Sequence, residues 1–243
     1  MIRQHLFDKR APADPMFRWR GGDVSRIEGL TDGVFAFALT LIVVSLDVPK
    51  NFDDLYRIML SFPVFAICFV MLIMVWYHHY KFFRRFGLED FQTIVLNTIL
   101  LFVVLFYVYP LKFVFSGLLS PVLGLDNATM ADITLAQAKQ LMVFYSVGVV
   151  LIFGMFALMH LRGYRLRHEL ELDELEMYLT RTEIGAHLIS AGIGVLSILL
   201  ALVAGTWGPF LAGVVYFLMG PAHGVYGARR GKRAEVMQRA LST

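Results

Sequence analysis

Arg26, Glu28 and Asp32 fall within about two helical turns, just before an apolar run that opens at Gly33. Ionisable groups in a membrane span cost on the order of 2.5–3.5 kcal/mol each, so they turn toward protein or water and carry a task. Two tasks fit these residues. In one, Arg26 pairs with an acid while Asp32 accepts hydrogen bonds from neighbouring helices, forming a structural lock. Trp76, His78, His79 and Asn97 are the candidate donors, because their segments flank one short loop and match Asp32 in depth. In the other, the Asp32/His79 group relays protons, as acid and histidine chains do in pumps and transporters.

The apolar run carries a second pattern. Gly33, Phe37, Thr40, Val44 and Asp47 recur at steps of 4, 3, 4 and 3 residues. At 100° per residue they form one narrow helical face, with Ala36 and Leu41 on its flanks. A packing or lipid-facing stripe is one reading. A pore wall is the other: several copies around an axis set Phe37, Thr40, Leu41 and Val44 in an apolar neck, with Asp47 at the outer mouth. A carboxylate ring concentrates cations, and a hydrophobic constriction gates by dewetting.

The elements that must hold these residues follow from composition. Of 243 residues, 58% are apolar and 17% charged, and mean hydropathy is +0.64; soluble domains carry about a quarter charged residues. This is the composition of an integral membrane protein. It excludes a disordered, collagen-like or nucleic-acid-binding chain. The lone Cys68 cannot form an intramolecular disulfide and reads as a packing residue. A helical crossing needs roughly 20 residues, and stretches poor in Lys, Arg, Asp and Glu predict spans at about 24–46, 58–80, 91–113, 140–161, 184–206 and 209–228. The last two come from one long uncharged stretch, divided at the turn signal Trp207-Gly208-Pro209. The expected fold class is all-α, a polytopic membrane protein with six transmembrane helices. A segment 1–23 precedes the six-helix unit 24–228, and a basic tail 229–243 follows it.

Orientation comes from the basic residues. Of 22 Lys and Arg, 18 lie in the N-terminal segment, the loops after the second and fourth spans, and the tail. The positive-inside rule then makes both termini cytoplasmic. No apolar stretch precedes Val24, so the first helix is expected to serve as its own insertion signal. The Leu-rich stretch Leu166–Leu179 reads as a helical extension into the cytoplasm. Arg229, Arg230, Lys232 and Arg233 should rest on anionic lipid headgroups. Ala186, Ser190 and Gly194, spaced by four, allow close helix approach. His160, His187 and His223 read as hydrogen-bonded structural groups, and Asn127-Ala-Thr129 as a chance glycosylation pattern. No catalytic group, metal site or bound cofactor is expected.

Arg26-Ile-Glu-Gly-Leu-Thr-Asp32 and the Gly-Val-Phe-Ala-Phe-Ala-Leu-Thr-Leu after it resemble the signature of the endolysosomal potassium channel family, transmembrane protein 175 and its prokaryotic relatives. Leu30 and Thr31 stand where that family has Phe and Ser. Trp76, His79 and Lys81-Phe82-Phe83 are similar to a second motif of the family, with Tyr80 in place of a histidine. The resemblance implies a weakly selective K⁺-permeable channel without a carbonyl-lined filter. It implies a pore made by the first helix of each repeat and pinched at Phe37, Leu41 and Val44 around Thr40. It also implies a network of Arg26, Thr31, Asp32, Trp76, His79 and Asn97 that ties that helix to its neighbours. A single repeat of this length implies a homotetramer in the inner membrane of a prokaryote, with K⁺ as the permeant ion. The rival expectation is a secondary transporter or proton conductor built on Asp32 and His79.

Overall fold

The computed structural model describes residues 16–44, 48–123 and 133–241, and its elements there are helical. Helix α1 spans Arg26–Val44, α2 Phe52–Leu60, α3 Phe62–Phe86, α4 Phe91–Leu123, α5 Leu135–Arg165, α6 Glu174–Val203, α7 Gly208–Val214 and α8 Met219–Leu241, with short 3₁₀ turns at Gly205–Trp207 and Val215–Leu218. Local sequence sets the boundaries. Thr134 with Gln137 and Asp173 with Glu176 form reciprocal capping boxes at the starts of α5 and α6, each satisfying two otherwise orphaned N–H groups. Gly87 closes α3 at φ 59°, a left-handed conformation that a Cβ disfavours.

Among the described residues, five stretches are long and apolar enough to cross a bilayer: Phe62–Phe86, Phe91–Leu119, Leu135–Arg165, Glu174–Val203 and Gly205–Ala240. Helix α1 is not among these five, against the six expected. It has 19 residues, and the charges at its foot offset its apolar outer half. The expected span 58–80 instead divides at Ser61 and runs on to Phe86. The basic tail continues α8 to Leu241. Leu166–Leu179 is not one helix: α5 stops at Arg165, Glu171 turns left-handed at φ 49°, and Asp173 caps a new helix.

Packing is closest between α5 and α6. Gly194 allows it, since a Cβ there would come within 2.8 Å of the Val150 side chain. A hydroxyl network secures the same pair to α7. Tyr216 donates to Ser146 Oγ at 2.9 Å, the Ser146 and Ser197 hydroxyls lie 2.8 Å apart, and Ser197 donates to the Ala212 carbonyl at 2.8 Å. The buried rings of Phe82 and Phe86 meet that of His160 edge-on and join α3 to α5. Helix α1 packs on the outside of this body, against α3 and α4.

Ion pairs gather at the basic end. Arg20 grips Glu176 through two nitrogens, at 2.6 and 2.9 Å, and the N–H groups of Arg20 and Gly21 donate to the Arg84 carbonyl. The segment before α1 is thereby laced to α3 and α6. Asp90, ahead of α4, accepts from the Thr93 hydroxyl at 2.5 Å and from Arg162 at 3.0 Å. Burial alone would raise the Asp90 pKa, but those two donors hold it below the ordinary carboxylate value.

Gly208 lies so near the Ala201 carbonyl that a Cβ would sit 2.7 Å from it, whereas one at Gly154 meets nothing within 4 Å. Thermal unfolding in detergent should therefore separate two identical substitutions. Gly208→Ala is expected to destabilise by about 1–3 kcal/mol, and Gly154→Ala to stabilise by up to about 1 kcal/mol.

Candidate functional site

The foot of α1 meets its neighbours through three sets of bonds. Asn97 of α4 donates through Nδ2 to Thr31 Oγ1 at 3.0 Å, and its Oδ1 lies 2.9 Å from His79 Nε2. An amide oxygen only accepts, so His79 carries its proton on Nε2. Thr31, His79 and Asn97 are all buried, and one amide thus bridges α1, α3 and α4. One residue on, Trp76 of α3 donates through its indole N–H to Asp32 Oδ1 at 2.8 Å. Tyr80 stacks on Trp76 with ring centroids 5.6 Å apart, and Trp19 meets Tyr80 edge-on at 6.1 Å. The third attachment is ionic: Arg84 of α3 pairs with Glu28 and also donates to the Gly22 carbonyl at 2.7 Å.

Arg26 is placed differently. It is exposed and makes no ion pair among the described residues; the acid beside it, Glu28, takes Arg84 instead. His78, one of the candidate donors, turns away from Asp32. Its ring lies 5.0 Å from that of His187, which is 5.0 Å from His160 in turn. His160 bonds the Phe156 carbonyl and His223 the Ser190 hydroxyl, while His187 Nε2 is buried without a partner among the described residues.

The two sides of α1 are sharply unlike. Thr31, Phe35, Ala38 and Ile42 are at most 3% exposed and face α3 and α4. Their spacing of 4, 3 and 4 places them opposite the Gly33, Phe37, Thr40 stripe. On that far side Phe37 is 57% exposed, Thr40 is exposed, and a Cβ added at Gly33 would touch nothing within 4 Å. Leu41, on the flank, is half-buried against the core. Val44 ends the helix. Its side chain and all of Asp47 lie outside the described residues, as does Asn127-Ala-Thr129. The Thr40 hydroxyl donates to the Ala36 carbonyl at 2.9 Å, which leaves its oxygen lone pairs for a partner beyond the chain.

The foot of α1 and its partners on α3 and α4 lie within a stretch that matches a known family. The family model described as endosomal/lysosomal potassium channel TMEM175 matches residues 26–107, from the first residue of α1 to the middle of α4. A potassium channel of Marivirga tractuosa is 38% identical over 240 residues, spanning 94% of this chain and 96% of the relative. The chain belongs to the TMEM175 potassium channel family. It is therefore an integral membrane protein of a channel family and not an enzyme.

Solved TMEM175 structures agree in fold. A crystal structure of a threonine-to-alanine variant of the potassium channel MtTMEM175, bound to a nanobody fusion, aligns with TM-score 0.81 and 38% identity, over 90% of this chain and 98% of the other. A Chamaesiphon minutus homolog of the lysosomal potassium-selective channel TMEM175 aligns with TM-score 0.55 and 21% identity over 84% of this chain and 96% of the other, a likeness of fold alone.

Sequence reasoning did not find the Glu28–Arg84 pair, because nothing in spacing tells which of several arginines reaches an acid. It also missed Glu183, which joins Lys81 at 2.5 Å and Arg85 at 3.1 Å. The signal for that pairing is two basic residues one turn apart on α3.

Removing the bridging amide leaves buried donors and acceptors unpaired, at about 1–3 kcal/mol. Asn97→Ala should destabilise by that amount in detergent unfolding. A double-mutant cycle with Thr31→Val should return a coupling of roughly 1 kcal/mol; additive effects would mean that the contact carries no energy.

Proposed function

We propose that the protein is a weakly selective K⁺-permeable channel whose pore is lined by α1 from four copies of the chain. The observation that carries this reading is the exposed Gly33, Phe37, Thr40 stripe on a helix whose opposite face is fully packed. A phenyl ring and a hydroxyl left open on one line of a helix in a channel-family protein suit an axis of symmetry. Four such faces enclose a neck of Phe37, Thr40, Leu41 and Val44 with Asp47 at its outer mouth. The other five hydrophobic stretches, with α1 as a sixth crossing, surround that axis, both termini being cytoplasmic in a prokaryotic inner membrane. No cofactor is required, since the permeant K⁺ is the ligand.

The network of Thr31, Asp32, Trp76, His79 and Asn97, with Arg26 exposed at its edge, holds α1 at the rotation that presents the stripe. Ions entering an apolar neck must shed or squeeze their water. K⁺ is more weakly hydrated than Na⁺ and meets the lower barrier. The free lone pairs of Thr40 replace part of the lost water and sharpen the difference. Arg229, Lys232 and Arg233 rest on anionic headgroups, each contributing about 1 kcal/mol near the surface, whereas Arg230 is taken up by Thr182 and the Tyr178 ring on α6.

Purified protein in a planar bilayer should show single-channel steps with a reversal potential displaced toward that of K⁺; saturable coupled uptake without steps would oppose this reading. Thr40→Ala should lower K⁺ over Na⁺ discrimination while conduction persists, and Leu41→Ser should raise the leak current. Unchanged reversal potential and unchanged leak would remove these residues from the neck.

A further inference from the structure

At the basic end of the bundle, where α4 begins and α5 ends, the two helices leave a groove of about 330 Å³ on the outer surface. Phe91, Val95 and Leu158 form its apolar wall, and Gln92, Arg162 and Arg165 ring its mouth. Phe91 is 77% exposed, with Val95 and Leu158 also open to the outside. These walls belong to Phe91–Leu119 and Leu135–Arg165, two of the membrane-crossing stretches, so the groove opens sideways toward lipid at headgroup depth.

Its polar rim is not neutralised. Arg162 pairs with Asp90 through one terminal nitrogen at 3.0 Å, while its Nε is buried without a hydrogen-bond partner among the described residues. Arg165 is exposed and has no ion pair among the described residues. The lining of the groove holds two guanidiniums and no carboxylate, and Asp90 beside it takes only one nitrogen of Arg162, which leaves positive charge over an apolar floor. Guanidinium recognises phosphate through parallel N–H donors, and basic pockets between spans collect anionic headgroups.

We propose that this α4–α5 groove is a binding site for an anionic phospholipid, its phosphate on Arg162 and Arg165 and an acyl chain along Phe91, Val95 and Leu158. The site is separate from the basic face of α8. It requires only that α4 and α5 cross the bilayer, not that α1 lines a tetrameric pore, so either reading can fail without the other.

Native mass spectrometry of the full assembled protein, equilibrated with phosphatidylglycerol or phosphatidylcholine, tests it. Wild type should retain phosphatidylglycerol preferentially. Arg165→Gln should weaken that retention roughly fivefold, and Val95→Trp, which fills the groove without altering charge, should weaken it comparably. Arg165→Lys should restore most of it, and Arg229→Gln with Lys232→Gln should leave the groove-bound lipid in place. Equal retention of the two lipids, or retention indifferent to both Arg165→Gln and Val95→Trp, overturns the proposal. Displacement of the lipid by inorganic phosphate would overturn the acyl-chain half, and a disulfide formed between copies through a cysteine introduced at Val95 would mean that protein covers the groove.

Discussion

A hydroxyl, an amide and an imidazole sheltered from water must find their hydrogen bonds within the protein, because each unmet group costs more than a made bond returns. At the foot of α1 they find them on two helices at once. Asn97 reaches Thr31 with one end of its amide and His79 with the other, and Asp32 one residue on takes the indole N–H of Trp76. Adjacent residues on a helix point 100° apart, so bonds from both Thr31 and Asp32 define the rotation of α1 as well as its depth. Everything about the outer face follows from that rotation. Were α1 turned half-way round, Ala38 and Ile42 would be open and Phe37 and Thr40 would be in the core.

The attachments differ in kind, and the difference has a physical sense. Neutral bonds through Asn97 lie deep, where an isolated charge would be costly. Ion pairs gather at the basic end, where Arg84 holds Glu28, Glu183 joins Lys81 and Arg85, and Arg20 holds Glu176. Through Arg84, which also binds the Gly22 carbonyl, the segment leading into α1 is tied to α3. A movement of that segment would therefore reach α1 by a direct covalent and ionic route, not through the core.

Much of this was legible in the sequence, for reasons that can be named. Ionisable residues at the start of an apolar helix demand partners, and matched depth points to Trp76, His78, His79 and Asn97, of which His78 turns instead to His187. Period 3.6 separated the stripe of Gly33, Phe37 and Thr40 from the buried Phe35, Ala38 and Ile42. Other features were hidden because they depend on long-range placement. Arg26 and Arg84 are equally good partners for Glu28 on chemical grounds, and only the fold brings Arg84 near. The break between α5 and α6 was obscured by leucines at helical spacing, which the Asp173–Glu176 capping box overrides. The histidines at 78, 160 and 187 gave no sign in the sequence that three separate spans bring their rings together.

In the proposed channel, ions pass along the face of α1 turned away from α3 and α4. Cysteines introduced singly along α1 and probed with Ag⁺, a small thiol-reactive cation, during bilayer recording test this most directly. Current through Phe37→Cys and Thr40→Cys channels should be blocked rapidly, while Phe35→Cys, Ala38→Cys and Ile42→Cys channels, whose thiols face the packed side, stay unaffected. Block at Ala38 and Ile42 with none at Phe37 and Thr40, or the same rate around the whole helix, would contradict it.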